Sequence, residues 1–150
     1  MGRTICVDSN VAAKWAFPED LRLEALTLRG KHVSGSLALI APDHFAIERV
    51  SIVRHKYQQG RVNEQEAREA LGFLFSLDVG LIPVGRVAHR TLEIANLIDE
   101  DAWDAAYIAV AEAEQCDFWT ADKELARRAK PHFPFVKLLG EDAFEQDAPR

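Results

Sequence analysis

A chain of 150 residues that is 48% hydrophobic can close one substantial core, and such composition excludes an intrinsically disordered polypeptide. No apolar run approaches the length of a membrane span, which excludes a transmembrane helix. A formal net charge of −6 is unlike the basic balance of an ordinary nucleic-acid binder, but acids gathered around bound cations would change that arithmetic.

Ile5-Cys6-Val7 reads as a short apolar strand near the N-terminus, with no signal peptide visible ahead of it. Asp8-Ser9-Asn10 follows at its carboxyl end, and residues 11–17 read as a short helix stopped by Pro18. Residues 19–28 place Leu21, Ala25 and Leu28 at helical spacing, and residues 37–40 form a second strand ended by Pro42. A helix is expected from Asp43 to about Gln59, stopped by Gly60. Asn63 and Glu66 have the spacing of a capping box, which opens a helix running through Phe75. Residues 81–84 are a short strand in which Pro83 marks an edge or an end. Residues 87–98 are helical, and Asp101 is the expected N-cap of the helix that carries Asp104. Asp117-Phe118-Trp119 is strand-like, a helix starts at Lys123 and ends before Pro131, and residues 135–139 are the last strand. Residues 141–150 read as a mobile acidic tail.

Strands alternating with helices imply an α/β fold with a mainly parallel central sheet and helices on both faces, residues 1–140 forming a single domain. Cys6 and Cys116 form no CxxC pair, so two reduced, packed thiols in a cytoplasmic protein are expected. The five histidines show no zinc-binding spacing.

Four acids stand out. Asp104 has Tyr107, Ile108 and Ala111 on its own helix face, so it lies on an apolar stripe near the first turn. Asp122 and Asp8 each follow the carboxyl end of an expected strand, the edge where open α/β sheets bind ligands. Glu48 borders an apolar stripe between Phe45 and Ile52. Each has a purely local alternative: Asp8 and Asp122 as N-caps, Asp104 as a first-turn acid facing the helix dipole, Glu48 as an ordinary stripe-edge residue paired with Arg49 or Arg54.

Together, VDSNVAAKW, PDHFAIERVSIVRHK and WDAAYIAVAEAEQCDFWTADKEL resemble the PIN-domain ribonucleases, most closely the VapC toxins of toxin–antitoxin pairs. The likeness spans Ile5 to about Leu139 with the acids in the family's order. It implies a three-layer α/β/α fold and an endoribonuclease dependent on Mg²⁺ or Mn²⁺, leaving a 5′-phosphate and a 3′-hydroxyl. Asp8, Glu48, Asp104 and Asp122 match the catalytic acids, with Ser9 and Thr120 bracing them. Asp117 is peripheral by the same comparison, and Trp103 is a packing aromatic. A cognate antitoxin, an RNA substrate and a homodimer are the implied partners.

The chemistry fits independently of that likeness. Mg²⁺ prefers hard oxygen ligands and keeps several waters, so a few carboxylates suffice. Asp8, Asp104 and Asp122 are the expected metal contacts, while Glu48 could bind a second ion or orient the attacking water. Lys14, Lys123, Arg127 and Arg128 are candidates for the RNA backbone, each otherwise part of a solvated helix face. Two other classes compete: a PIN-like binding module without turnover, and a phospho-receiver domain. The latter needs an acid pair after its first strand, which Asp8-Ser9-Asn10 does not supply.

Overall fold

Ile5, Cys6 and Val7 are completely buried, as an apolar strand covered on both faces must be. In the computed structural model, which describes residues 3–144, they belong to β1 (Arg3–Val7) at the centre of a five-stranded sheet. The other strands are β2 (Leu37–Pro42), β3 (Gly80–Ile82), β4 (Asp117–Thr120) and β5 (Val136–Leu138). Their order is β3-β2-β1-β4-β5, and every pairing is parallel. The expectation of a mainly parallel sheet is met in full.

Seven α-helices connect these strands: α1 (Ser9–Ala16), α2 (Arg22–Val33), α3 (Phe45–Gln58), α4 (Glu64–Ser76), α5 (Ala88–Ile98), α6 (Ala102–Ala113) and α7 (Lys123–Ala129). Parallel crossovers are right-handed. From β1 the chain steps outward through β2 to β3, which puts α1 to α4 on one face. It then returns across the sheet to β4 and β5, which puts α5 to α7 on the other. Packing of α1 against α2, α3 and α4, and of α5 against α6, agrees with this three-layer arrangement.

Local rules explain most boundaries. The Asn63 side chain accepts the Glu66 N–H at 2.8 Å, and Glu66 returns a bond from the Asn63 N–H at 3.1 Å, completing the expected capping box. Asp101 caps α6 through the Asp104 N–H at 2.8 Å. The helix expected over 19–28 instead begins at Arg22, after Leu21 turns through a left-handed φ of 63°. It also runs on through Gly30 to Val33, because one glycine weakens a helix without ending it. Pro83 ends β3, and a 3-10 turn over Val84–Val87 takes residues expected at the end of the strand and the start of the next helix.

The alanine-rich α6 is buried from Ala105 to Ala111 and lies directly on β1, β2 and β4. Its small side chains permit that close approach, so Asp104 and Tyr107 are held against the sheet. Of the tail, residues 145–150 lie outside the described residues. Asp142, just before them, accepts bonds from Lys130 Nζ at 2.6 Å and the Leu138 N–H at 2.7 Å. No helix among the described residues is long and apolar enough to cross a membrane.

Candidate active site

Sheet topology brings β1 and β4 side by side at the point where the winding reverses, where side chains at the carboxyl edge meet between the diverging helices. Val7 is in register with Trp119, and the Asp8 N–H donates to the Trp119 carbonyl at 2.9 Å, so Asp8 stands beside Thr120. Although Asp8 occupies the N-cap position of α1, its side chain makes no capping bond. Its Oδ2 accepts from Thr120 Oγ1 at 2.9 Å and from Asn10 Nδ2 at 3.3 Å. The local alternative for Asp8 is therefore displaced by a contact across the sheet.

Asp122 takes the N-cap role that the sequence allowed, at the same edge as Asp8. Its Oδ1 caps α7 by accepting the Glu124 and Leu125 N–H groups at 3.0 and 3.1 Å. Its own N–H donates to Thr120 Oγ1 at 3.1 Å, which locks the Thr120–Asp122 turn to Asp8. Glu48 does not pair with Arg49 or Arg54. Arg49 lies between the Phe45 and Phe75 rings, and Arg54 donates to Gln58. The Glu48 carboxylate instead accepts from Tyr107 Oη at 2.5 Å and Ser9 Oγ at 3.1 Å. His44 Nε2 approaches it to 3.2 Å without hydrogen-bond alignment.

The four acids thus share one edge and feel one another. Burial pushes the Asp8 carboxyl up to about 7; the Thr120 bond opposes this, and the charges of Asp104 and Glu48 add to the rise. Asp104 also rises to about 7, through burial and then the neighbouring Asp101, Glu100, Asp122 and Glu48. Burial works against the charge on Glu48, but contacts with His44, Tyr107 and Ser9 outweigh it and hold that carboxyl below its ordinary range.

A closed ligand cage is a different matter. Among the described residues, no three His, Cys, Asp or Glu side chains are arranged to hold an ion directly. The donor chemistry nevertheless suits a hydrated divalent ion. Asp104 accepts no side-chain hydrogen bond and joins no ion pair among the described residues, and Asp8 has no cationic partner there. Mg²⁺ retains waters that can bridge to carboxylates beyond direct reach.

Three partners escaped the sequence reading. Asn10 bridges Asp8, Thr120 and the Ala121 N–H, the last at 2.9 Å. Tyr107 orients Glu48 through its hydroxyl, and His44 lies against the same carboxylate. Helical spacing placed Tyr107 on Asp104's face, but nothing local to the chain linked either to Glu48. Asp117 lies at the opposite end of β4, paired with Arg3 at 2.6 Å.

Most candidate backbone cations are engaged within the chain. Lys14 is buried and faces Glu19 at 3.5 Å, and Glu19 also pairs with Lys56 at 2.8 Å. Arg127 and Arg128 both bind Glu124, and Arg128 also reaches Glu100 at 3.6 Å. Lys123 is exposed and carries no ion pair among the described residues.

Comparison with known proteins agrees with this architecture. The crystal structure of PAE2754 from Pyrobaculum aerophilum superposes with a TM-score of 0.61 at 22% identity, covering 85% of this chain and 87% of that one, a likeness in fold. No curated protein matches the sequence. The model of the PIN domain matches residues 7–129, a span that opens just before Asp8 and closes just after Asp122 and its helix. A five-stranded parallel sheet whose acids meet at the β1–β4 edge is accordingly the scaffold of a PIN domain, and this chain belongs to that family.

Proposed function

We propose that this protein is a Mg²⁺- or Mn²⁺-dependent endoribonuclease, the toxin component of a toxin–antitoxin pair. PIN domains are generally nucleases that use divalent ions, and the match to that family gives the hydrolase reading its base. The observation that supports the metal dependence is the meeting of Asp8 and Asp104 at one buried edge, where neither is paired with a cation among the described residues and burial raises both to about 7. Carboxylates in that condition favour a divalent counter-ion.

Asp8, Asp104 and Asp122 would hold the ion, directly or through its waters. When bound, such an ion polarises the phosphodiester and lowers the pKa of a coordinated water. Thr120 and Asn10 fix the orientation of Asp8, and the capping role of Asp122 leaves its Oδ2 for a ligand. Glu48, held by Tyr107 and Ser9 and kept ionised, would accept a proton from the attacking water or orient it. Departure of the 3′ oxygen then leaves a 5′-phosphate and a 3′-hydroxyl.

Incubation of the purified chain with RNA and millimolar Mg²⁺ or Mn²⁺ is expected to give 5′-phosphorylated fragments, and EDTA to abolish them. Undiminished cleavage in EDTA would overturn the reading. Metal binding without cleavage would favour the alternative of a PIN-like binding module.

A cognate antitoxin and a homodimer complete the proposal. The seam between α3 and α4 supports a docked apolar segment: a groove of about 210 Å³ lined by Val50, Val53, Tyr57, Ala67 and Leu71. Light scattering at micromolar concentration is expected to give twice the 16.8 kDa chain mass, and a monomer would remove the dimer.

A further inference from the structure

Behind the acid edge, one side chain joins the helix that Asp122 caps to the turn that leads into Asp104. Arg128 stands in the last turn of α7. Its Nη1 donates to the Asp99 carbonyl at 2.6 Å and lies 3.6 Å from the Glu100 carboxylate. Its Nε donates to Glu124 at 3.0 Å, one turn back along α7. The guanidinium thus ties both ends of α7 to the turn between α5 and α6.

Packing alone leaves that turn unsecured. Ala105 to Ala111 are buried against the sheet, but Asp101, Ala102 and Trp103 are exposed. The core therefore fixes the body of α6 and not its first turn, which carries Asp104. Asp99 closes α5 in the left-handed region at φ 54°, a conformation that a non-glycine residue keeps only where its surroundings enforce it. Arg128 supplies that residue's carbonyl with a donor. Two residues on, Asp101 accepts the Asp104 N–H at 2.8 Å, so the placement of the turn passes directly to Asp104.

Charge opposes the same arrangement. Burial raises the Glu100 carboxyl above its ordinary range, Arg128 opposes the rise, and Asp122, Asp101 and Glu124 add to it. Two acidic segments, Glu100 to Asp104 and Asp122 to Glu124, thus repel each other across the edge. Arg127 also pairs with Glu124, but only within α7. Among the described residues, Arg128 is the cation that bridges the two segments.

We propose that Arg128 is a positioning residue, holding the α5–α6 turn against α7 so that Asp104 and Asp122 remain close enough to share one hydrated divalent ion. This rests on the metal-dependent reading of the same acids. The guanidinium fork is engaged inside the protein and not on an RNA phosphate. A planar fork serves a carbonyl and two carboxylates at once, which the compact ammonium of a lysine does less well.

The test reads metal binding in the full chain without RNA. Calorimetric titration with Mn²⁺ should give a Kd about tenfold higher for Arg128→Gln than for the native chain, and about threefold higher for Arg128→Lys. Loss of a nearby cation would by itself tighten cation binding, so a weakened Kd reports displaced acids and not altered charge. Adding Glu100→Gln to Arg128→Gln should recover part of the loss, because it removes the repulsion that Arg128 offsets. That double variant also serves if Arg128→Gln alone fails to fold. In cleavage assays, the Mg²⁺ concentration for half-maximal rate should rise about tenfold for Arg128→Gln while KM for RNA moves less than about threefold. An unchanged or tightened Mn²⁺ affinity in Arg128→Gln would overturn the clamp. So would a rise in KM alone, which would return Arg128 to the RNA backbone. Mn²⁺ binding that depends on Arg128 without any cleavage would keep the clamp and overturn the ribonuclease. A native chain that takes up no Mn²⁺ would overturn both.

Discussion

Asp8→Asn and Asp104→Asn should each lower kcat for RNA cleavage at saturating Mg²⁺ by about a hundredfold or more. A metal ion contributes several kcal/mol of charge stabilisation in such a transition state, and each 1.36 kcal/mol is a factor of ten. An amide keeps the shape and the hydrogen bond from Thr120 but loses the charge that holds the ion. The pH dependence has a definite sign. Both carboxyls take up protons at about 7 when no ion is bound, so protons compete with the metal. Activity should rise from pH 6 to 8, and the rise should move to lower pH as Mg²⁺ increases. Rates measured across pH at two metal concentrations check this. A profile unmoved by Mg²⁺ would remove Asp8 and Asp104 from the metal site, as would full activity in either variant.

The same substitution should stabilise the metal-free protein. Unfolded aspartate titrates near 3.9, whereas folded Asp8 and Asp104 titrate at about 7, so between those values the folded state binds more protons. Stability contributed by these groups is present below about pH 4 and lost as pH rises to about 7. At pH 8 in EDTA the native chain therefore carries buried, mutually repelling carboxylates. Asp8→Asn should then gain on the order of 2 kcal/mol, which for a domain of this size is roughly 4–8 °C in Tm. Millimolar Mg²⁺ should raise the Tm of the native chain and raise that of the variant much less. Thermal melts at pH 8 with and without metal decide it. A lower Tm for Asp8→Asn in EDTA would show that Asp8 is held by its hydrogen bonds rather than opposed by its neighbours.

Much of the scaffold was legible along the chain, because the signals that build it are local. The apolar run at Ile5-Cys6-Val7, the Asn63–Glu66 box, the Asp101 cap and the stop at Pro83 are each decided within a few residues. Alternation of strands and helices then leaves few topologies once crossovers must be right-handed. The four acids were likewise legible as positions, since two follow strand ends and two sit on apolar helix faces.

What each side chain does at those positions depended on residues far away in sequence. Asp8 was free to cap α1, and only the register of β1 with β4 offers it Thr120 instead. Glu48 had Arg49 and Arg54 close by, yet it turns to Tyr107 on α6 because Arg49 is drawn between two phenylalanine rings. Lys14 looked like a phosphate contact until Glu19 claimed it, and Trp103, a packing aromatic by resemblance, meets His44 edge-on yet stays more than half exposed. Composition and periodicity determined which residues lie on which element and at which end. Competition among partners brought together by the fold decided which charges are satisfied, which stay unpaired, and which surfaces remain open for a substrate.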